Sequence, residues 1–155
     1  MKRTLILLFS IISCLLVGFI ASKFQTEALA TWYPALNKSP LTPSNGVFFV
    51  VWTILYVFMG LSIGFIVSRN NPKEMIFIKL FSLQIVLNFL WSITFFYLQN
   101  PLLGFINIVL LALVIFRYLV VAYYRANKFS FALFIPYFLW VVFAGYLNLY
   151  ILLNN

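Results

Sequence analysis

The chain has 155 residues, of which 65% are hydrophobic and 8% are charged, and its formal net charge is +8. A soluble domain of this size cannot bury so much apolar surface, so the composition excludes a water-soluble fold and indicates a protein that uses lipid as its solvent. The basic residues flank apolar segments, which is typical of orientation by cytoplasmic positive charge, and no nucleic-acid partner is expected.

Five continuous apolar segments predict five membrane-spanning helices. They cover about residues 5–22, 47–68, 76–98, 102–121 and 129–153. Each is close to the ~20 residues that a helix needs to cross the hydrocarbon core. Backbone polar groups find no partner in lipid, and the runs lack the alternation of a barrel strand. We therefore expect an all-α membrane protein, a five-helix transmembrane bundle that forms a single domain over residues 1–155.

The first segment also has features of a secretion signal. Lys2 and Arg3 resemble a signal n-region, residues 11–14 loosely resemble a lipoprotein cleavage box, and residues 28–30 resemble a signal-peptidase site. However, the apolar run is longer than the ~7–15 residues of a signal core, and the residues after Cys14 stay apolar. We favour a retained helix and keep cleavage as the alternative.

Small residues recur at every fourth position of this segment, at Ser10, Cys14, Gly18 and Ser22. Such a stripe predicts that the helix packs closely against a neighbour, with Cys14 as a packing residue without a redox role. The second segment carries a similar pair, Gly60 and Gly64, near its far end. Because the chain has one cysteine, no intrachain disulfide is possible.

A long loop, residues 23–46, joins the first two segments. It contains Pro34, Pro40 and Pro43, which exclude a continuous helix, together with Trp32 and Tyr33. Loops of this length are uncommon and tend to be functional. We interpret it as the lid and one wall of a ligand pocket.

The basic residues predict the orientation of the chain in the membrane. Eight of them fall on one side if the five segments alternate in direction, and two fall on the other. The first group is Lys2, Arg3, Arg69, Lys73, Lys79, Arg117, Arg125 and Lys128; the second is Lys23 and Lys38. This asymmetry predicts a cytoplasmic N-terminus, with the C-terminus and the long loop on the outside.

Three segments each carry a face that mixes aromatic and hydrogen-bonding side chains at helical spacing. These faces are Phe48, Trp52, Leu55, Tyr56 and Met59; Gln84, Asn88, Trp91, Ser92 and Phe95; and Pro136, Trp140, Phe143, Ala144, Leu147 and Asn148. Together they favour an apolar pocket for a flat ligand. The alternative is that Gln84, Asn88 and Asn148 only join helix to helix. Pro136 predicts a kink or a break in the fifth helix.

The residues for conventional catalysis are missing from the predicted spans. The sequence has no histidine, and its two acidic residues, Glu27 and Glu74, lie in predicted loops. No metal-ligand cluster, paired carboxylate or nucleophile–base arrangement can be assembled, so we expect no metal site and no hydrolytic or acid–base chemistry. The redox-capable groups of the proposed pocket are indole and phenol rings.

Three motifs resemble those of the tryptophan-rich sensory protein and translocator protein family, also called the peripheral-type benzodiazepine receptor. The first runs through Trp32-Tyr33-x-x-Leu36-x-Lys38, Pro43, Phe48, Trp52 and Leu55-Tyr56-x-x-Met59-Gly60. The second is Gln84-x-x-x-Asn88-x-x-Trp91-Ser92-x-x-Phe95-Phe96. The third is Pro136-Tyr137-x-x-Trp140-x-x-Phe143-Ala144-x-x-Leu147-Asn148. The similarity extends over nearly the whole chain, including its length and its long first loop.

This resemblance implies a five-helix bundle, often a homodimer, with a pocket beneath the first loop. The family binds porphyrins such as protoporphyrin IX, isoquinoline-carboxamide and benzodiazepine-type drugs and, in animal mitochondria, cholesterol. The implied protein is a multi-pass protein of a bacterial cell membrane that needs no cofactor and has porphyrin as its ligand. We expect a tetrapyrrole-binding protein that acts in porphyrin transport, sensing or stress regulation. The alternatives are an enzyme that degrades porphyrin in the light, and a structural or signalling protein with an incidental pocket.

The resemblance and the three faces together identify fourteen candidate ligand-binding residues. They are Trp32, Tyr33, Pro43, Phe48, Trp52, Tyr56, Gln84, Asn88, Trp91, Phe95, Trp140, Phe143, Ala144 and Asn148. The resemblance implies that Trp52 and Asn88 hydrogen-bond a ligand carbonyl. Trp52 and Trp140 are the candidates for light-dependent chemistry, because a photoexcited porphyrin can oxidise a neighbouring indole.

The chain departs from the family pattern at two places. The loop has Lys38-Ser39 and Pro43-Ser44 where the family often has Lys-Pro and Pro-Pro, and Gly46 stands in place of a tryptophan, which predicts a looser lid. After Tyr150 no basic residue follows, although the proposed cholesterol-recognition pattern requires one. A sterol partner is therefore less expected than a porphyrin.

Overall fold

The computed structural model describes residues 2–69, 74–125 and 127–155. Within these ranges all regular structure is helical. The helices are α1 (Lys2–Lys23), α2 (Thr26–Ala30), α3 (Trp32–Ala35), α4 (Asn45–Ser68), α5 (Met75–Trp91), a π-helical segment (Ser92–Tyr97), α6 (Pro101–Tyr124) and α7 (Lys128–Asn154). Five of the helical stretches are long and apolar enough to cross a membrane, which confirms the predicted all-α, five-span architecture.

The observed helices run slightly beyond the predicted segments at most ends, because helical backbone continues into the polar residues that flank each apolar run. The first loop contains the short helices α2 and α3, and its prolines exclude a continuous helix as expected. Helix α7 continues through Pro136, so the break that was the alternative to a kink does not occur.

Helices α1 and α4 pack with their backbones nearly in contact, as the small residues predict. A Cβ atom added at Gly60 would lie 2.5 Å from Cα of Ile11, and one added at Gly64 would lie 3.1 Å from Cα of Leu7. No larger side chain fits at Gly60 without moving α1. The glycines therefore determine how close the first helix comes to the rest of the bundle.

The third span changes from α to π geometry at Ser92. The amide of Leu98 donates to the carbonyl of Ile93 at 2.8 Å, five residues back instead of four. The wider turn lets two consecutive rings enter the bundle, since Phe95 is 2% and Phe96 is 7% exposed. Asn100 then accepts a hydrogen bond from the amide of Leu103 at 3.0 Å, which caps the start of α6.

One end of the bundle, here called the loop end, contains the first loop and the end of α7. Asn155 makes two hydrogen bonds to the backbone of Asn37: its Oδ1 accepts from the amide at 2.9 Å and its Nδ2 donates to the carbonyl at 3.3 Å. The hydroxyl groups of Ser39 and Tyr146 are 3.1 Å apart. The loop expected to be loose is thus attached to α7, and Ser39, which replaces a proline of the family pattern, supplies one attachment.

The opposite end carries most of the cations and is here called the basic end. The guanidinium groups of Arg3 and Arg69 both lie over the ring of Phe65, at 5.0 and 4.5 Å from its centroid. Arg69 also pairs with Glu74 at 3.5 Å. Lys23 and Lys38 lie at the loop end, as predicted, whereas Lys73 falls outside the described residues.

Candidate functional site

A cavity of about 380 Å³ lies inside the bundle at the loop end. This volume is within the range of ~300–1,000 Å³ that small-molecule sites occupy. Its lining is mainly aromatic and aliphatic, with several neutral polar groups. The lining residues are Leu15, Gly18, Phe19, Ala21, Ser22, Gln25, Leu29, Tyr33, Asn45, Phe48, Phe49, Trp52, Thr53, Tyr56, Asn88, Trp91, Ser92, Phe95, Phe96, Ala144, Leu147, Asn148 and Ile151.

The floor of the cavity is a chain of hydrogen bonds between three helices. Tyr56 of α4 donates to Oδ1 of Asn88 at 2.5 Å, and Nδ2 of Asn88 donates to the hydroxyl of Tyr137 at 3.1 Å. Tyr137 donates in turn to Oε1 of Gln84 at 2.8 Å. An amide nitrogen has two protons, so Asn88 keeps one donor for a ligand while it joins the helices. The site and helix-joining interpretations of Asn88 are therefore compatible.

One wall of the cavity is built from indole and phenyl rings. The rings of Trp52 and Trp91 have centroids 6.2 Å apart and are inclined by 31°. Phe95 stacks on Trp91, with ring centroids 5.6 Å apart and an angle of 11° between the ring planes. The Nε1 of Trp91 donates to Oδ1 of Asn148 at 3.3 Å, which holds the indole ring in place. The result is a broad aromatic surface of the kind on which a flat conjugated ligand stacks.

The first loop covers the cavity. Tyr33 of α3 packs against Phe95 and Phe96, with centroids at 6.3 and 5.7 Å, and burial raises the pKa of its phenol above the usual value. Gln25 donates from Nε2 to Oγ of Ser92 at 2.7 Å and so connects the loop to the π-helical segment. The loop therefore forms the roof that the sequence predicted, and its contacts are made with the third span as well as with α7.

The wall toward α1 is more open. Phe19 of α1 is 60% exposed and Phe49 of α4 is 73% exposed, although both line the cavity. Gly18 lies beside them, and a Cβ atom there would collide with the ring of Tyr56. The absence of a side chain at Gly18 thus gives Tyr56 the room in which it reaches Asn88.

Nine of the fourteen candidate residues line this cavity. They are Tyr33, Phe48, Trp52, Tyr56, Asn88, Trp91, Phe95, Ala144 and Asn148. Their role in ligand binding stays a prediction, but the structure brings them together around one volume from the loop and the second, third and fifth spans.

The remaining five candidates lie elsewhere. Trp32 packs edge-on against Phe95 at 5.4 Å, behind the cavity wall, and Pro43 lies in the loop away from the lining. Gln84 is fully buried one helical turn below Asn88, as a member of the floor network. Trp140 and Phe143 line a separate shallow groove between α4 and α7.

Trp140 is not part of the cavity lining. About one turn nearer the basic end, Tyr137 of the same helix is the fully buried residue and is bonded to Asn88. Trp140 lies behind Phe48 instead, with ring centroids 5.3 Å apart. Phe48 therefore separates the indole of Trp140 from the cavity, and Trp52 and Trp140 do not share one ligand surface in this arrangement.

Sequence reasoning missed the contribution of α1. Five residues of this helix line the cavity, Leu15, Gly18, Phe19, Ala21 and Ser22. Only Phe19 among them is aromatic and only Ser22 has a polar side chain, and the stripe of small residues indicated packing alone. The signal that was available is the position of Gly18 and Ser22, at the end of the helix that enters the proposed lid.

The fold and the site together define a class of protein: an integral membrane protein of five spanning helices that encloses an uncharged, aromatic-walled cavity beneath its first loop. The model of the TspO/MBR family matches residues 10–153, and the chain belongs to this family. The match includes every residue that lines the cavity and the part of α1 from residue 10 onward.

Named relatives agree with this assignment. The chain is 37% identical to the tryptophan-rich protein TspO of Chlorobaculum tepidum over 156 residues, which cover 99% of this chain and 98% of the relative. It is 38% identical to the TspO protein of Archaeoglobus fulgidus, with 94% of each chain covered. It is also 31% identical to the protein CrtK of Rhodobacter capsulatus, over 88% of this chain and 84% of the relative.

Proposed function

We propose that this membrane protein binds a porphyrin in the cavity beneath its first loop and acts in porphyrin transport or sensing. The observation that carries the proposal is the pairing of Trp52 and Trp91, whose rings face one uncharged cavity at 6.2 Å from each other. A porphyrin has two aromatic faces, and stacking on indole needs no charged partner. Family resemblance supports the same ligand class.

The polar groups of the cavity suit a ligand with one or two carbonyl groups. Asn88 of the floor has a second amide proton beside the one it donates to Tyr137, and Trp52 of the aromatic wall lines the same cavity. These two residues are the proposed donors to the carbonyl of an isoquinoline-carboxamide or benzodiazepine-type drug. Such drugs and porphyrins would then compete for one cavity.

The test is fluorescence quenching of purified protein by protoporphyrin IX, haem and cholesterol. A matched pair of variants on α7 links binding to the cavity. Ala144 lines the cavity and Ala132 is exposed on the same helix, so Ala144→Leu should reduce porphyrin affinity at least tenfold and Ala132→Leu should leave it unchanged. Saturable binding lost in Ala144→Leu alone supports the proposal. Absence of porphyrin binding in the wild type would favour a structural or signalling role.

A second candidate function is light-dependent porphyrin degradation. The position of Trp52 in the cavity lining favours this activity. A photoexcited porphyrin would oxidise an indole that lies against it. Product formation under illumination, absent in the dark, separates this activity from binding.

We also propose a homodimer in a cell membrane, with the loop end outside. The excess of cations at the basic end supports this orientation, since cytoplasmic loops carry the larger share of Lys and Arg. Light scattering of the detergent-solubilised protein tests the dimer.

A further inference from the structure

The two cations of the loop end lie over rings that line the cavity. The Nζ of Lys23 is 4.6 Å from the centroid of the Phe19 ring, and the Nζ of Lys38 is 4.9 Å from the centroid of the Tyr33 ring. Phe19 belongs to the open wall and Tyr33 to the roof. Each of these two rings at the rim of the cavity is therefore in contact with one positively charged ammonium group.

Neither ammonium group forms an ion pair with a residue that the structure describes. Within the described ranges the ion pair is that of Arg69 with Glu74, at the basic end. The loop end carries the Glu27 side chain and the carboxylate of Asn155, and neither group forms an ion pair with Lys23 or Lys38. Among the lining residues of the cavity there is no charged side chain. The cavity thus combines a neutral interior with two cations at its rim, neither of which is in an ion pair within residues 2–69, 74–125 and 127–155.

Both lysines keep hydrogen-bond donors for a ligand. Lys38 donates to the carbonyls of Tyr33 and Pro34 at 2.8 and 3.1 Å, and an ammonium group has three protons, so one is left. Lys23 is the last residue of α1 and is exposed to solvent. Its long side chain can move from the Phe19 ring toward a ligand without breaking a hydrogen bond to the part of the protein that the structure describes.

We propose that Lys23 and Lys38 form a carboxylate subsite at the rim of the cavity. This inference rests on the proposed function and specifies its ligand: a flat apolar molecule whose acidic groups lie along one edge. The ring system would occupy the neutral interior, and the carboxylates would meet the two ammonium groups. A porphyrin with carboxylates on all four edges fits poorly, because a carboxylate in the neutral interior would have no partner to offset its desolvation.

The test compares protoporphyrin IX, which has two neighbouring carboxylates, with its dimethyl ester, which has the same ring and no charge. Affinities are measured by fluorescence quenching in nanodiscs of zwitterionic lipid, for the wild type, Lys23→Gln, Lys38→Gln, the double variant and the control Lys128→Gln at the basic end. We expect each single variant to weaken diacid binding about 3- to 10-fold, the scale of one charge-assisted contact near solvent. The ester affinity should be the same in all five proteins.

Lys38 also supports the loop, and the ester distinguishes that role. If Lys38→Gln lowers the affinities for the diacid and the ester equally, the substitution has disrupted the loop that covers the cavity. The assignment of Lys38 to the subsite is then wrong. Lys38→Arg keeps the charge and should retain most of the diacid affinity.

Two results separate this inference from the proposed function. If the wild type binds the ester as tightly as the diacid and Lys23→Gln changes neither affinity, the subsite is overturned while porphyrin binding stands. If neither porphyrin binds, the proposed function fails and the subsite with it. A diacid affinity that falls with added salt, beside an ester affinity that does not, supports the charge contact.

Discussion

The hydroxyl of Tyr56 donates a hydrogen bond of 2.5 Å to the side-chain oxygen of Asn88, across the interface between the second and third spans. The Nδ2 of Asn88 in turn donates a hydrogen bond of 3.1 Å to the hydroxyl of Tyr137 on the fifth span. One amide thus joins three helices directly below the cavity. The position of the Tyr56 ring requires a glycine at Gly18 on the first span, because a side chain at residue 18 would collide with that ring.

The first prediction concerns the energy of this network. Asn88→Leu removes a partner from two buried hydroxyl groups and should lower the free energy of unfolding by about 1–3 kcal/mol. Tyr56→Phe removes one hydroxyl and should cost less, close to the ~0.6 kcal/mol average of interhelical hydrogen bonds in membranes. Thermal unfolding of both single variants and the double variant gives the coupling. Strictly additive losses would show that the two side chains do not act as a pair.

Asn88→Leu also tests the second role of this residue. If its free amide proton binds a ligand carbonyl, affinity for an isoquinoline-carboxamide drug should fall by about 1–2 kcal/mol in the folded variant. Tyr56→Phe leaves that proton in place and serves as the control. An unchanged affinity in Asn88→Leu would limit this residue to joining helices.

The next prediction concerns the space at Gly18. Gly18→Ala places a methyl group about where the Tyr56 ring lies, so it should displace that ring into the cavity and reduce porphyrin affinity about tenfold or more, a cost of about 1.4 kcal/mol. Gly46→Ala is the matched control, since a Cβ there meets nothing within 4 Å. Equal affinities in the two variants would exclude Gly18 from a role in shaping the site.

Light-dependent chemistry should distinguish two tryptophans. Trp52 lines the cavity, whereas Trp140 is separated from it by Phe48. In Trp52→Phe, the light-dependent disappearance of porphyrin should therefore be much slower, while most of the porphyrin affinity is kept. Trp140→Phe should behave like the wild type. The measurement is porphyrin absorbance under illumination, normalised to bound porphyrin, with a dark control. Equal rates in all three proteins would rule out a chemical role for Trp52.

The attachment of the loop to α7 predicts a kinetic effect. Asn155→Ala removes two hydrogen bonds to the backbone of Asn37, so the roof should open more often and porphyrin should dissociate several-fold faster. Asn154→Ala keeps its backbone carbonyl bond to Asn37 and should change little. Stopped-flow displacement measures both rates, and identical rates would mean that release does not require the loop to separate from α7.

Orientation can be tested with single cysteines in a Cys14→Ala background. Gly46 is exposed at the loop end and Lys128 is exposed at the basic end. Gly46→Cys should react with a membrane-impermeant thiol reagent in intact cells, and Lys128→Cys should react only after lysis. The opposite labelling would reverse the proposed orientation and leave the fold unaffected.

The sequence by itself determined the number of spans and most of the cavity. Runs of about 20 apolar residues have one stable backbone form in lipid, which is why the five helices were predictable from composition and length. The faces through Tyr56 and Asn88 were predictable because helical periodicity places such residues side by side. The close approach of α1 to Gly60 likewise followed from small residues at every fourth position.

Tertiary structure decided what periodicity cannot specify: depth along the bundle and the identity of each neighbour. Trp140 lies on the same helical face as Ala144, yet it packs behind Phe48 and lines the groove between α4 and α7 instead of the cavity. The π-helical segment changes the register so that Phe95 and Phe96 both enter the bundle, and a fixed period of 3.6 does not anticipate this. The wall from α1 arises because residues far apart in sequence meet at the loop end. The contacts of Lys23 with Phe19 and of Lys38 with Tyr33 are local in sequence, but only the packing of α1 and the first loop brings both rings to one cavity.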